Sequence, residues 1–197
     1  MEGVTEERAD LITKLSYRQA RRSIGKVPEP FAVTAHHRKL FLGYGGFEMA
    51  VERSHEVDER LKALGEMKAA LMAGCEFCID IGTFISYRAG VTERQLRELP
   101  SYRDSDAFTD LEKLVIEYAE GMTSTPVRVS DELFARLREH FSEKQLVELT
   151  AVIAVENYRA RFNWAFGIGP QGFTKDGDFC PVPERAGSVP ASGSNEQ

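Results

Sequence analysis

Residues 109–122 read TDLEKLVIEYAEGM, and this stretch decides the fold class of the 197-residue chain. Thr109 and Glu112 have the spacing of a capping box, in which two side chains satisfy backbone amides that a helix leaves unbonded at its start. The apolar residues that follow recur every three or four positions, as an amphipathic helix requires. They are Leu111, Leu114, Val115, Tyr118, Ala119 and Met122. The stretch therefore predicts a helix with one buried face.

Similar helix-start signals lie on both sides of this stretch. Thr92 with Gln95 and Ser142 with Gln145 repeat the capping-box spacing. Ser130 is followed by two acidic residues, which are favourable where the helix dipole is positive. We therefore predict three further helices, one starting at each of these positions.

Helical spacing also extends towards the N-terminus. Asp58 precedes apolar residues three and four apart, and residues 9–22 are helix-like. Residues 31–52 are predicted to be helical with interruptions at Gly43, Gly45 and Gly46. Because no stretch alternates convincingly between apolar and polar residues, we predict an all-α fold.

Composition and charge bound the possible partners and the compartment. With 42% hydrophobic residues the chain can bury a core, and a net charge of −6 disfavours nucleic acid and anionic membranes as partners. No segment approaches the about 20 apolar residues of a membrane span, and the N-terminus has no apolar signal region, so a cytoplasmic protein is expected. We predict one helical domain over residues 1–183 and, from its Pro, Gly and Ser content, a disordered tail over 184–197.

Two cysteines concentrate the chemistry in residues 73–80, AGCEFCID. If Gly74 ends one helix and another begins beside it, Cys75 and Cys78 lie on one face of the first turn, close enough for a disulfide. Backbone amides at the start of a helix also stabilise a thiolate. The spacing therefore predicts a reactive thiol pair.

Two other interpretations of the pair are weaker. Half of a zinc site would need two further ligands, but Cys180 is solitary and no histidine has ligand spacing, so neither a metal nor another cofactor is predicted. The histidines are His36, His37, His55 and His140. The pair could also be two buried cysteines that act as small apolar residues.

The sequence resembles the alkylhydroperoxidase D-like branch of the carboxymuconolactone decarboxylase family. The resemblance covers about residues 25–170 and is most specific at Gly74 to Asp80, with support from Arg88-Ala89-Gly90, residues 129–150 and residues 161–167. It implies an all-helical fold with two degenerate halves, here about 25–105 and 106–170, and a homo-oligomer, either a trimer or a dimer or hexamer.

The resemblance also implies a thiol peroxidase. Cys78 would attack the hydroperoxide and Cys75 would resolve the resulting sulfenic acid as a disulfide. A thiol reductant, either a lipoyl-bearing or thioredoxin-like protein or a small dithiol, would then reopen the pair. Phe77, Phe84, Phe162 and Trp164 are predicted to border the thiols, which would favour an organic hydroperoxide.

The chain departs from the family at the proton relay. The expected glutamate and histidine are replaced by Ala63 and Gly82, so another residue would have to supply the base. Glu66, one turn after Ala63, is the first candidate, and His37, next to His36, is the second.

The second half of the chain offers one more carboxylate at a related position. Aligned with the cysteine-bearing half, it places Glu148 opposite Ala63, where we predict a structural ion pair with Arg159 or Arg161.

Two other functions stay open. The pair could form a redox sensor or binding module without turnover, or the protein could be a lactone decarboxylase whose activity does not need the cysteines.

Overall fold

The structure, a computed structural model, describes residues 1–174. Over these residues the chain forms α-helices and one short 3₁₀ helix at Leu99–Ser101, with no strand. This confirms the all-α prediction. The α-helices are α1 (Leu11–Ile24), α2 (Glu29–Thr34), α3 (Arg38–Glu52), α4 (Glu59–Ala73), α5 (Glu76–Arg88), α6 (Glu93–Glu98), α7 (Asp110–Thr123), α8 (Asp131–His140) and α9 (Glu143–Phe166).

The predicted helix starts are confirmed at the level of single hydrogen bonds. The capping boxes begin α6, α7 and α9, and in each of them both reciprocal side-chain bonds are present. Ser130 caps α8 by accepting the N–H of Leu133, and Asp58 caps α4 by accepting the N–H of Arg60. Local side-chain chemistry therefore sets where these helices begin.

The predicted interruptions of residues 31–52 are wrong in position. The chain breaks between α2 and α3, whereas Gly43, Gly45 and Gly46 lie inside α3. The ring of His37 caps α3 by accepting the N–H of Leu40, so the helix starts there. Glycine costs a helix about 1 kcal/mol relative to alanine but does not by itself end one.

The central helix is α4, which packs against α5, α7 and α9. Nearly all of its side chains from Leu61 to Leu71 are buried, so it has no broad polar face. Gly65 allows α9 to approach closely, because a Cβ at this position would lie 3.3 Å from the Cγ1 of Ile153. Through these contacts α4 fixes the relative positions of the cysteine-bearing turn and α9.

Two apolar clusters form the core. One contains the cysteines together with residues of α4, α5 and α9, and the other lies among α4, α7, α8 and α9. The division into halves at 25–105 and 106–170, and the domain limit at residue 183, stay predictions. The predicted tail and Cys180 lie outside the described residues. Within residues 1–174 no helix is both long enough and apolar enough to span a membrane.

Candidate functional site

The cysteine pair occupies the junction of α4 and α5. Gly74 ends α4 in the left-handed conformation, with φ 63°, and Cys75 is the N-cap of α5. The Cα atoms of Cys75 and Cys78 are 5.2 Å apart and their sulfurs form a disulfide. The Sγ of Cys75 also accepts the N–H of Cys78 at 3.2 Å. The geometry thus agrees with the predicted helix break and disulfide.

A side chain of α9 completes the surroundings of the sulfurs. The Nδ2 of Asn163 lies 3.3 Å from the Sγ of Cys78 and 3.5 Å from the Sγ of Cys75. Asn163 is only 1% exposed. Sequence reasoning did not place Asn163 among the site residues. The sequence contained one signal for it: Asn163 is a polar residue on the buried face of a helix, within residues 161–167, which resemble the family.

The pair lies in apolar surroundings. Cys75 and Cys78 are 2% and 3% exposed, in the same cluster as Phe77, and Phe162 packs against that cluster. The indole of Trp164 lies beside this junction, because its Nε1 donates to the carbonyl of Ala73 at 2.7 Å. Among the predicted lining residues, Phe77, Phe162 and Trp164 therefore lie in or next to the sulfur region.

Phe84 has a different set of contacts from the other predicted lining residues. It is half-buried further along α5, where the guanidinium of Arg88 lies 5.6 Å from the centre of its ring. The predicted position of Phe84 beside the thiols stays a prediction.

Neither position of the expected proton relay has an acidic or basic side chain, because the two residues are Ala63 and Gly82. Ala63 is buried in the cluster that contains the cysteines. At Gly82 a Cβ would lie 2.6 Å from the Sδ of Met67, which is itself 1% exposed. The space where a histidine would stand is thus filled by a thioether, which is neither an acid nor a base in water.

Glu66, the first candidate for a substitute base, belongs to a charged cluster around Arg159, with residues from α3, α4 and α9. Its carboxylate accepts a hydrogen bond from the Nη1 of Arg159 at 2.8 Å. The same guanidinium bonds to Glu48 through Nε at 2.9 Å and to Glu156 through Nη1 at 3.1 Å. The hydroxyl of Tyr44 donates a hydrogen bond to the carboxylate of Glu48. We call Tyr44, Glu48, Glu66, Glu156 and Arg159 the arginine cluster.

Three carboxylates share one cation in the arginine cluster, and their pKa values separate. Burial raises the pKa of Glu156 to about 8 despite the attraction of Arg159, and one of its oxygens, Oε1, is buried without a hydrogen-bond partner among residues 1–174. Burial likewise raises the pKa of Glu66. At Glu48 burial acts in the same direction, but the hydrogen bonds from Arg159 and Tyr44 outweigh it and lower the pKa. Glu66 and Glu156 therefore gain a proton more readily than ordinary carboxylates.

His37, the second candidate, lies at the start of α3 and is exposed. Its Nδ1 accepts the N–H of Leu40 at 3.3 Å. The neighbouring His36 contacts the carbonyl of Glu2 through Nε2 at 3.0 Å. Both rings thus have contacts with backbone groups, and neither of these contacts involves a sulfur.

Asp80 has a structural role that the sequence did not reveal. Its carboxylate accepts the N–H groups of Gln171, Phe173 and Thr174 at 2.8–3.1 Å and the hydroxyl of Thr174 at 3.0 Å. Burial opposes the charge, but these donors outweigh it and lower the pKa of Asp80. Asp80 thereby fixes the segment after α9 against α5, where the ring of Phe173 makes an edge contact with Phe77.

The predicted ion pair of Glu148 with Arg159 or Arg161 is wrong. Glu148 accepts from the Nζ of Lys62 at 3.0 Å and from the N–H of Glu56 at 2.8 Å. Because α4 and α9 run side by side, the buried ammonium group of Lys62 lies closer to this carboxylate than either arginine does. The role is structural, as predicted, but the partner is a residue of α4.

No group of three or more His, Cys, Asp or Glu side chains within residues 1–174 is arranged to hold a metal ion. The two sulfurs are bonded to each other, and the arginine cluster already contains a cation.

Comparisons with known proteins agree with this geometry. A sequence model of the carboxymuconolactone decarboxylase family matches residues 37–121. The chain is 35% identical to the uncharacterized protein YnjA of Escherichia coli over 167 residues, which are 84% of this chain and 88% of YnjA. It is 33% identical to the uncharacterized protein YdfG of Bacillus subtilis over 116 residues, which are 58% of this chain and 79% of YdfG.

Solved structures share the fold at low sequence identity. An uncharacterized peroxidase-related protein from Ralstonia eutropha, with an alkylhydroperoxidase AhpD core, superposes with a TM-score of 0.80 at 15% identity, over 90% of this chain and 95% of that one. The debrominase Bmp8 in complex with 2,3,4-tribromopyrrole superposes with a TM-score of 0.78 at 19% identity, over 87% of this chain and 91% of that one. With its Cys75–Cys78 pair at the start of α5, the chain belongs to the carboxymuconolactone decarboxylase family and has its alkylhydroperoxidase D-like helical fold.

Proposed function

We propose that this protein is a dithiol-dependent oxidoreductase that reduces organic hydroperoxides. The observation that carries the proposal is the disulfide between Cys75 and Cys78 at the first turn of α5, with amide donors directed at the sulfurs. A dithiol that closes to a disulfide without a change of fold can transfer two electrons. Amide donors at a helix start favour the thiolate, which is the nucleophilic form.

In the proposed cycle Cys78 is the attacking residue. Its thiolate attacks the terminal oxygen of the hydroperoxide, an S–O bond forms, the O–O bond breaks, and the alkoxide that leaves takes a proton to become the alcohol. The thiolate of Cys75 then attacks the sulfur of the Cys78 sulfenic acid, and hydroxide leaves as the disulfide forms. A thioredoxin-like or lipoyl-bearing protein, or a small dithiol, supplies two electrons and restores the pair.

Glu66 is the candidate for the base in this cycle. It lies one turn after Ala63, the position of the relay glutamate, on the same face of α4, and burial raises its pKa. A carboxyl group with a raised pKa can take a proton at neutral pH and return it. Because its carboxylate bonds to Arg159, its proton would reach the sulfurs through an intervening molecule.

The apolar surroundings of the sulfurs favour an organic hydroperoxide as the substrate. Phe77 is buried beside the pair, and Phe162 and Phe166 pack against the same cluster. Such surroundings suit the organic part of an alkyl or aryl hydroperoxide better than hydrogen peroxide, which has no apolar part.

We also propose a homo-oligomer, since α3 exposes Leu40 and Phe47 at 59% and 49%.

The test combines thiol mass spectrometry with turnover. The reduced protein receives one equivalent of cumene hydroperoxide, and peroxide consumption is then followed with excess dithiothreitol. We expect rapid formation of the Cys75–Cys78 disulfide and many turnovers, with cumene hydroperoxide faster than hydrogen peroxide. Thiols that stay reduced would contradict the proposal, and equal rates with the two peroxides would contradict the substrate class.

Matched controls separate the other functions. Cys75→Ser and Cys78→Ser should each abolish turnover, whereas a lactone decarboxylase would retain its activity in both variants. 2,3,4-Tribromopyrrole, the compound bound by the debrominase of the same fold, is included as a competing substrate. Faster oxidation of the dithiol by this compound than by the hydroperoxide would favour a reductive dehalogenase over a peroxidase.

The second candidate function, redox sensing, is favoured by the position of Asp80. This residue lies two positions after Cys78 on α5 and holds the segment of residues 171–174. A change in the first turn of α5 could therefore alter the attachment of that segment. Disulfide formation without turnover, accompanied by faster amide hydrogen exchange at residues 171–174, would favour the sensor.

A further inference from the structure

Asn163 has the only side-chain polar group that the described structure places against both sulfurs. Its Nδ2 is a donor that lies 3.3 Å from the Sγ of Cys78 and 3.5 Å from the Sγ of Cys75, so one N–H can be shared between the two bonded sulfurs. Its other polar atom, Oδ1, is buried and has no hydrogen-bond partner among residues 1–174. Burial of an unbonded carbonyl costs free energy. The carboxamide is thus only half satisfied while the disulfide is closed.

Three contacts fix Asn163 in this position. Gly167, in the left-handed conformation, ends α9 four residues later, and its N–H and that of Ile168 bond to the backbone carbonyl of Asn163. The neighbouring Trp164 ties this turn to the end of α4 through the carbonyl of Ala73. These contacts fix the backbone of Asn163 beside the junction of α4 and α5, from which its carboxamide reaches the sulfurs.

Reduction of the disulfide supplies the missing partner. Two electrons and one proton convert the disulfide to one thiolate and one thiol, and a dithiol reductant such as dithiothreitol provides them while it closes to its own cyclic disulfide. The thiolate can accept from Nδ2, and the thiol S–H can donate to an amide oxygen. The reduced pair with one thiolate and one thiol therefore offers partners to both ends of the carboxamide, whereas the disulfide offers partners only to Nδ2.

We propose that Asn163 is a catalytic residue of the pair, which stabilises the thiolate through Nδ2 and binds the remaining thiol proton through Oδ1. This inference rests on the proposed dithiol function and goes beyond it. A carboxamide neither gains nor loses a proton near neutral pH, so Asn163 holds the anion without acting as a base. It thus provides the charge stabilisation that a relay histidine would otherwise contribute, in a site where Gly82 and Met67 leave no room for one.

The test measures the thiol pKa in the absence of any peroxide. The reduced protein is alkylated with iodoacetamide at a series of pH values, in the wild type and in the Cys75→Ser background, where Cys78 is the only thiol of the pair. Asn163→Leu keeps the approximate volume of the side chain but removes both polar atoms. We expect the pKa of the pair to rise by about one unit, which slows alkylation about tenfold at a pH below that pKa.

Two further variants keep the inference falsifiable if Asn163→Leu does not fold. Asn163→Asp keeps the shape and adds a negative charge, so the pKa should rise further than in the leucine variant. Asn163→His restores an N–H donor and should recover at least part of the wild-type pKa. Asn157→Leu is the matched control, because Asn157 is a carboxamide on the same helix that bonds to Thr123 instead of the sulfurs.

The outcomes separate the inference from the proposed function. A raised thiol pKa in the Asn163 variants with a normal pKa in Asn157→Leu supports the inference, even if the wild type fails to turn over hydroperoxide. A pKa equal to that of the wild type in both Asn163→Leu and Asn163→Asp overturns it, even if the wild type is an active peroxidase. A rise in Asn157→Leu equal to that in Asn163→Leu also overturns it, because the effect would then come from helix packing.

Discussion

One face of α9 contributes to two very different environments. Near the end of the helix, Asn163 contacts two sulfurs in a neutral, apolar region. Arg159 and Glu156, one and two turns earlier and about 6 and 10 Å along the axis, belong to the arginine cluster, which carries three carboxylates. The first region contains the cysteine pair, whereas the second contains three carboxylates, two of which have raised pKa values.

The comparison shows how differently one scaffold treats polar groups. At the sulfurs the protein uses uncharged amide donors, which stabilise an anion without competing for its proton. In the arginine cluster it uses a permanent cation, and the number of carboxylates exceeds what one guanidinium can neutralise. Substitutions in the arginine cluster can show whether the two regions are independent or whether a carboxylate of the cluster acts as the base for the thiols.

The largest effect on folding should come from the cation. Arg159→Met leaves three carboxylates close together without their shared partner, so we expect a loss of about 3 kcal/mol in the free energy of unfolding at pH 7. Urea unfolding of the variant and the wild type measures this loss. Arg136→Met, which breaks an exposed ion pair with Glu117, is the control and should cost less than about 1 kcal/mol. Equal losses in the two variants would show that the arginine cluster has no special weight.

The next effect tests the link between the regions directly. Glu66→Gln should lower hydroperoxide turnover about a hundredfold at neutral pH if its carboxylate is the base, because a positioned base contributes roughly 10²–10⁴ in rate. Glu156→Gln, which affects the same guanidinium, is the matched control and should leave turnover within about threefold of wild type. Equal losses in both variants would assign the effect to Arg159, and no loss in either would separate the arginine cluster from the sulfur chemistry.

The pH dependence of stability should reveal Glu156. Its pKa is about 8 in the folded protein and 4.5 in the reference state, so between these values the folded state binds more protons than the unfolded state. This contribution to stability is therefore fully present below about pH 4.5 and is lost as the pH rises through 8. Relative to wild type, Glu156→Gln should therefore become steadily more stable as the pH rises from 5 to 8. Parallel stability curves for the two proteins would contradict this assignment.

The smallest effect concerns a carboxylate with the opposite pKa shift. Because donors lower the pKa of Asp80, its contribution to stability is present above about pH 3.8 and is lost as the pH falls below that value. Asp80→Asn should cost about 1–2 kcal/mol at pH 7 and bring faster amide exchange at residues 171–174. Asp110→Asn, at an exposed position near the start of α7, is the control and should change both quantities little. Unchanged exchange at residues 171–174 would show that other contacts hold the segment.

The fold class and the thiol pair could be predicted because their determinants are local. A capping box such as Thr109 with Glu112, or a glycine that ends a helix such as Gly74, requires only neighbouring residues. Local signals were misleading where they were weak, as in residues 31–52. There the glycines suggested a break, but the side-chain cap at His37 set the helix start.

Sequence reasoning did not identify the contacts between residues that lie far apart in the sequence. Glu148 bonds to Lys62, 86 positions away, and Asn163 reaches the sulfurs from 85 and 88 positions away. Asp80 gains its role from a segment about 90 residues later. No spacing within one helix encodes these contacts, because they exist only once α4, α5 and α9 are packed together.

Local sequence patterns therefore predict where α4, α6, α7, α8 and α9 begin, that the fold is all-α, and that Cys75 and Cys78 share the first turn of a helix, since each depends on a few adjacent residues. Three features of the site depend on the tertiary structure. Met67 fills the place of the relay histidine, and Asn163 contacts both sulfurs. In addition, Glu66 and Glu156 share Arg159. The physical reason is that burial and hydrogen bonding between helices depend on how α4, α5 and α9 pack, which local sequence patterns do not specify.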